Sequence, residues 1–555
     1  MAGVAKRPIL LFVTAATVSL LLSSCSSAPA AKRPVAPSSS ATFTYVNAPD
    51  FPFIRNFNPW SPLAPLGGDV EPLVYIDQYT GKVVPKLAVS YSYANGYRTL
   101  TFDLRHGVEW SDGEPFTSAD VVFTIDMILR NPLIDLLDLS GIVQSVSSNG
   151  PYQVIIDLKA PNSTALYVVG SQTPIVQEKQ WAPHASNPAY FADPYPVTTA
   201  PFLPESVSRS LITFVRNSHY WGKEPYVKYV KIPLYTSNTT ATLAMVQGNF
   251  DLATIFIPSV QSTLVSHDPS QYHYWFPAFE ENMLYTNDGT YPYSLLPLRQ
   301  AISYAIDRSK VARLGEYGYE TAANATGLPP MPAYKPFISK TLSQKPLPYD
   351  PTKAKSILKA AGFTWNSSGI LIDPRGQAVA PVIIAMSGAT DWIADAELIA
   401  SQLKAIGIQA SVNTPSAGTF LSDLADGDFQ MGIYSTSSGP SPFDIYSPLL
   451  DSQFSAPEGQ SAPSNYERWN SKATDNLLAS YLGAFTQSQQ RAVIVEVEHI
   501  MATQLPVIPL LDLPSWEEYN TTRFSGWPDA KNPYGDFAYN PFDMMYIIAG
   551  LGPAR

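Results

Sequence analysis

A single cysteine in 555 residues, Cys25, rules out an internal disulfide framework and any cysteine-built zinc site. The fold must therefore rest on hydrophobic burial, and the supply is ample: 45% of residues are apolar and 12% aromatic. That content excludes a chain disordered throughout. At roughly 150 residues per domain, the length suggests about three or four domains. Charged residues make up only 15%, against about 25% in ordinary globular chains. The 35 basic residues are outnumbered by 46 acidic ones, a formal net charge of −11. This leaves no electrostatic footprint for nucleic acid or an anionic membrane. Low charge with many Tyr, Trp, Asn, Ser and Thr suits a surface that recognises neutral polar ligands.

Lys6 and Arg7 precede an apolar stretch at 9–22, shorter than the roughly 20 residues of a membrane span. The stretch ends in Leu22-Ser23-Ser24-Cys25, which resembles the bacterial lipoprotein box. There a signal peptidase cuts before the cysteine, and the thiol carries a diacylglycerol. The expectation is a signal peptide over 1–24, lipidation at Cys25 and a flexible Ser/Ala/Pro tether over 25–42. The protein is then exported and lipid-anchored at the outer face of the cell membrane or its periplasmic side.

Local patterns mix strands and helices without strict alternation. Leu100, Phe102 and Leu104 share one face of a strand. Thr117 caps a helix over 118–130, with Asp120 as a partial capping box. Strands are expected over 152–158, 211–215 and 227–234. Helices are expected over 239–247, 298–314, 351–361, 393–406 (with Asp391 as a possible cap) and 487–505. The pattern predicts several α/β lobes joined by chain crossings, and neither a barrel nor a solenoid.

Residues 107–124 read Gly-Val-Glu-Trp-Ser-Asp-Gly-Glu-Pro-Phe-Thr-Ser-Ala-Asp-Val-Val-Phe-Thr. This segment resembles the signature of the extracellular solute-binding protein family 5, the oligopeptide-type receptors of ABC importers. Further likenesses follow in family order. They include Pro85-Lys-Leu-Ala88, Arg216-Asn217 with Tyr220-Trp221, the helix Leu298-Arg-Gln-Ala-Ile-Ser-Tyr-Ala-Ile-Asp307, Tyr349-Asp-Pro351 and Leu505-Pro-Val-Ile-Pro-Leu510. The resemblance implies an α/β, three-lobed periplasmic-binding-protein-like fold with a ligand cleft between two hinged lobes. Lobe I would comprise 41–75, 197–290 and 515–555; lobe II is an insertion over 76–196; lobe III covers 291–514. Crossovers near 290 and 514 would form the hinge. The motif residues themselves read as structural.

Peptide binders of this family place a Trp, and soon after it an Asp for the α-ammonium, beyond the strand that here ends at Tyr434. This chain has Tyr434-Ser-Thr-Ser-Ser-Gly-Pro-Ser-Pro442 instead, and Asp444 comes late. The hydroxyls of Tyr434, Ser435, Thr436, Ser437 and Ser438 suit a polyhydroxylated ligand. Flat aromatics beside amides and carboxylates suit a sugar ring, whose C–H faces stack while its hydroxyls bond. Asn58, Trp60, Asp391, Trp392, Trp516 and Tyr519 are therefore candidate ligand contacts, with Trp275 and Asn282 weaker ones. The ligand is a small polar solute, either an oligopeptide or an oligosaccharide, and the further partners are ABC permease subunits.

No G-x-S-x-G, H-E-x-x-H, Walker-A or G-x-G-x-x-G motif occurs, and the 6 His show no ligand spacing. No cofactor, metal or nucleic-acid partner is expected, and no enzymatic activity. The rival reading is a secreted hydrolase using two carboxylates.

Overall fold

The computed structural model describes residues 42–47, 52–61, 70–535 and 541–554. Cys25, the signal peptide and the tether up to residue 41 lie outside them.

The central strand Thr42–Asn47 alternates its side chains. Phe43 and Tyr45 join one core with Phe214, Val230 and Trp527, while Val46 joins another with Ala241 and Met245. Burial on both faces places the strand inside a seven-stranded sheet, parallel to Tyr229–Pro233 on one side and Leu252–Thr254 on the other. The C-terminal strand Glu518–Asn520 returns to this sheet. A six-stranded sheet runs Thr321–Ala322, Ile508–Pro514, Ala278–Thr286, Met431–Ser435, Val382–Ile384, Ser411–Asn413. Every residue of Ile508–Pro514 is buried, and separate hydrophobic cores cover this sheet's two faces. A four-stranded antiparallel sheet, built around Thr99–Leu104, packs Leu100, Phe102 and Leu104 inward beneath the helix Ser118–Arg130.

The two large sheets are joined by two chain segments lying side by side. Trp275 N donates to Glu517 O at 2.9 Å, and Ser515 N donates to Pro277 O at 2.8 Å. The strand Ala278–Thr286 belongs to the second sheet, so the first crossover falls at 275–277 and not near 290. Carboxylates at 280 and 281 in the middle of a buried strand hide it from a hydropathy reading.

Local capping follows the sequence closely. Thr117 and Asp120 form a complete capping box. The expected helix over 298–314 is two, Leu296–Ala305 and Arg308–Leu314, because Asp307 leaves the helix and accepts from Lys310 N to cap the second. The expected helix over 393–406 is Thr390–Leu403 with a 3₁₀ turn beyond it, and Asp391 lies in its first turn, with Ala389 at the cap.

Candidate functional site

Between the two large sheets lies a cavity of about 540 Å³, within the roughly 300–1,000 Å³ usual for small-ligand sites. Its aromatic walls come from both sides of the crossover. Phe256 and Trp516 meet edge to face at 5.4 Å; opposite them Trp392 meets Tyr434 at 5.8 Å and 81°. Tyr285 and Tyr466 complete a group around Tyr434, at 6.4 and 6.2 Å. Polar groups lie between the rings: Asn238 and Thr254 from the first sheet's side, and Glu280, Asp391, Ser435, Thr436, Ser437, Ser464 and Asn465 from the second's.

The two sides touch at one corner. Ser237 caps the helix Asn238–Val246, which points its N-terminus at the N-terminus of the helix Thr390–Leu403. Asn238 N donates to Gly388 O at 3.4 Å, and its Nδ2 donates to Asp391 Oδ1 at 3.4 Å. A carboxylate in the first turn suits the positive end of a helix dipole.

Among the described residues, no Lys, Arg or His lines the cavity. Its acidic groups are backed by more. Burial pushes the Asp391 carboxyl up to about 6, against the pull of the Trp392 backbone N–H. Behind it the Asp395 carboxyl is set against that of Glu316, and Glu281 against Asp512, and none of the carboxyl oxygens of Glu316, Asp395 and Glu281 has a hydrogen-bond partner. Two ionised carboxylates have no donor between them, so each pair needs a proton. Burial accordingly raises all four, Asp512 to about 6. Arg308 is the cation acting on Glu281, and its guanidinium is spent on the carbonyls of Ser303 and Pro509 and the Ser303 hydroxyl.

Of the sequence-predicted contacts, Asp391, Trp392, Tyr434, Ser435, Ser437 and Trp516 come together around this cavity. Ser438 is half-buried beside it and does not line it. Asn58 and Trp60 lie elsewhere. The Asn58 amide donates to the carbonyls of Pro188 and Phe191 and its oxygen accepts from Trp60 N, while Trp60 meets Trp181 edge to face at 5.2 Å. Both seat the 52–61 loop on the chain near 188. Tyr519 stacks on Trp527 at 4.9 Å in the seven-stranded sheet, away from the cleft. Trp275 meets Tyr79 edge on at 5.7 Å, and Asn282 is buried, donating to Glu320 at 2.9 Å. Sequence reasoning missed Asn238, Phe256, Glu280, Tyr285 and Tyr466. Only Asn238 carried a local signal, its place just after the helix cap Ser237.

Among the described residues, no cluster of His, Cys, Asp or Glu has the geometry to hold a metal ion, and no helix is long and apolar enough to cross a membrane.

Known proteins share this architecture. A nickel-binding periplasmic protein of Escherichia coli K12 is 28% identical over 380 residues, covering 67% of this chain and 70% of that protein. A glutathione-binding protein of the same strain is 26% identical over 465 residues, covering 81% and 85%. The crystal structure of a mannohexaose-bound periplasmic oligopeptide-binding protein of an ABC transporter from Thermotoga maritima superposes with a TM-score of 0.85. It is 24% identical and covers 93% of this chain and 99% of that one. Residues 82–457 match the family model described as bacterial extracellular solute-binding proteins, family 5 Middle. By that match over residues 82–457, the chain belongs to the bacterial extracellular solute-binding proteins of family 5.

Proposed function

We propose that this protein captures a polyhydroxylated, non-acidic solute, an oligosaccharide of a few units, in the cleft and passes it chemically unchanged to the permease of an ABC importer. The supporting observation is the lining: aromatic side chains interleaved with hydroxyl, amide and carboxyl groups and, among the described residues, no cationic side chain. Sugar rings stack on such faces and bond to such groups. An acidic solute would bury its carboxylate without a countercharge among these residues, a penalty of several kcal/mol. Glutathione carries two carboxylates, so the ligand of that relative fits this lining poorly. That the Thermotoga protein holds mannohexaose is compatible with a sugar chain in this fold. Asp391 and Glu280 support a second reading, an oligopeptide whose α-ammonium meets a carboxylate while its carboxyl end reaches solvent.

Residues 275–277 and 515–517 serve as the hinge in this reading, and closure brings Asn238 against Gly388 and Asp391. Cys25 carries the lipid, and the segment up to residue 41 tethers the receptor near its permease. A thermal-shift screen of neutral oligosaccharides, uronic-acid oligomers and peptides tests the reading. A binder near 100 times its Kd stabilises by about 2.7 kcal/mol. A shift with neutral oligosaccharides is expected; a shift with uronic-acid oligomers or peptides alone would refute the sugar assignment. Mass spectrometry of the mature chain from cell membranes tests Cys25 as the lipidated N-terminus.

A further inference from the structure

At the corner of the cleft where Asn238 meets Asp391, two acceptor side chains are buried. Asn238 is only 3% exposed and lines the cavity, yet its Oδ1 has no hydrogen-bond partner. Its Nδ2 is the group that faces Asp391. Asp391 is buried on the facing wall, and among the described residues of the lining no cationic side chain balances it. The groups that feel its charge have the same sign: Asp395 on its own helix, and Glu316 and Glu320 on the segment that follows Arg308–Leu314. Trp392, the residue after Asp391, also lines the cavity, and its ring meets Tyr434 edge to face at 5.8 Å.

A hydroxyl brings one donor and adds acceptors of its own; an ammonium brings three donors, a positive charge and no acceptor. Two buried acceptors in a field of carboxyls, without a cation, are therefore better matched by the ammonium. We propose that this corner receives a protonated primary amine of the ligand, and that the solute is an amino-bearing oligosaccharide of the glucosamine type. The inference rests on the reading of this cavity as the solute cleft. A peptide N-terminus carries the same chemical group, so the test separates the two sources.

Titration calorimetry at pH 7 compares two matched pairs on the intact receptor: a glucosamine disaccharide against its N-acetylated form, and a dipeptide against its N-acetylated form. Within the pair that binds, the free amine is expected to bind at least about tenfold tighter, the worth of a hydrogen bond to a charged group. In Asp391→Asn, and independently in Asn238→Leu, that ratio is expected to fall to near unity. Equal binding of free and acetylated forms by the native protein overturns the amine subsite and leaves the oligosaccharide reading standing. A free-amine preference confined to the dipeptide pair keeps the subsite and overturns the sugar source. An amine preference that survives both substitutions overturns the assignment to this corner.

Discussion

Two buried carboxyls in this molecule live in opposite surroundings. Asp120, under the four-stranded sheet, accepts from Thr117 N, Glu178 N and the Trp110 indole at 3.0, 3.0 and 3.3 Å. Asp395, behind the cleft, faces Glu316 and Asp391. The first arrangement satisfies every acceptor locally and fixes a helix start. The second leaves like charges together, tolerable only if protons are shared or a ligand supplies donors. Asp120, in the family signature, thus serves the fold, and the under-paired Asp395 and Glu316 lie behind the cavity.

The largest test of that contrast is Trp110→Ala. Trp110 is fully buried in the core of the four-stranded sheet, and its truncation should cost about 3–5 kcal/mol in a denaturant titration. Ligand affinity measured below the melting transition should stay unchanged; a lost affinity would break the contrast. Trp392→Ala should show the reverse. Its ring closes the cleft against Tyr434, so affinity should drop about tenfold or more by calorimetry, with a smaller stability loss than Trp110→Ala. A smaller effect is read by pH. Asp512 and Asp391 are raised to about 6 and Asp444 to about 7, by burial in each case. The folded state therefore binds these protons more tightly than the unfolded chain. Their stabilising contribution is full below about pH 4 and is lost as pH rises through 6 and 7. The melting temperature should fall by a few degrees between pH 5 and 8, and a rise would contradict the shared-proton picture. Smallest is Glu316→Gln, which gives Asp395 an amide donor without needing a proton. At pH 8 it should stabilise by about 1 kcal/mol, whereas Asp120→Ala should destabilise by about the same amount.

Legibility followed the range of the interactions. The Thr117–Asp120 box spans three residues and could be read directly. The break at Asp307 could not, since a helical pattern continues through it and only the capping of Lys310 N reveals the stop. The crossover at 275–277 was masked because Glu280, Glu281 and Asn282 interrupt a strand buried on both faces. At the cleft, Asp391, Trp392, the Tyr434 loop and Trp516 could be placed from the order of elements that the family resemblance implied. Asn58 and Trp60 could not. Their partners lie some 120–130 residues away, and the Asn58 amide that would have met a ligand is consumed by the backbone carbonyls of Pro188 and Phe191. Asn238, Phe256 and Tyr466 enter the cavity only once the sheets are assembled.

The most direct measurement is calorimetric titration of the native protein with a panel of di- to tetrasaccharides beside peptides of similar size, with the ligand recovered and weighed afterwards. Saturable one-to-one binding of a non-acidic oligosaccharide, recovered intact, is the predicted result. Binding of peptides alone, or recovery of a cleaved sugar, would contradict it.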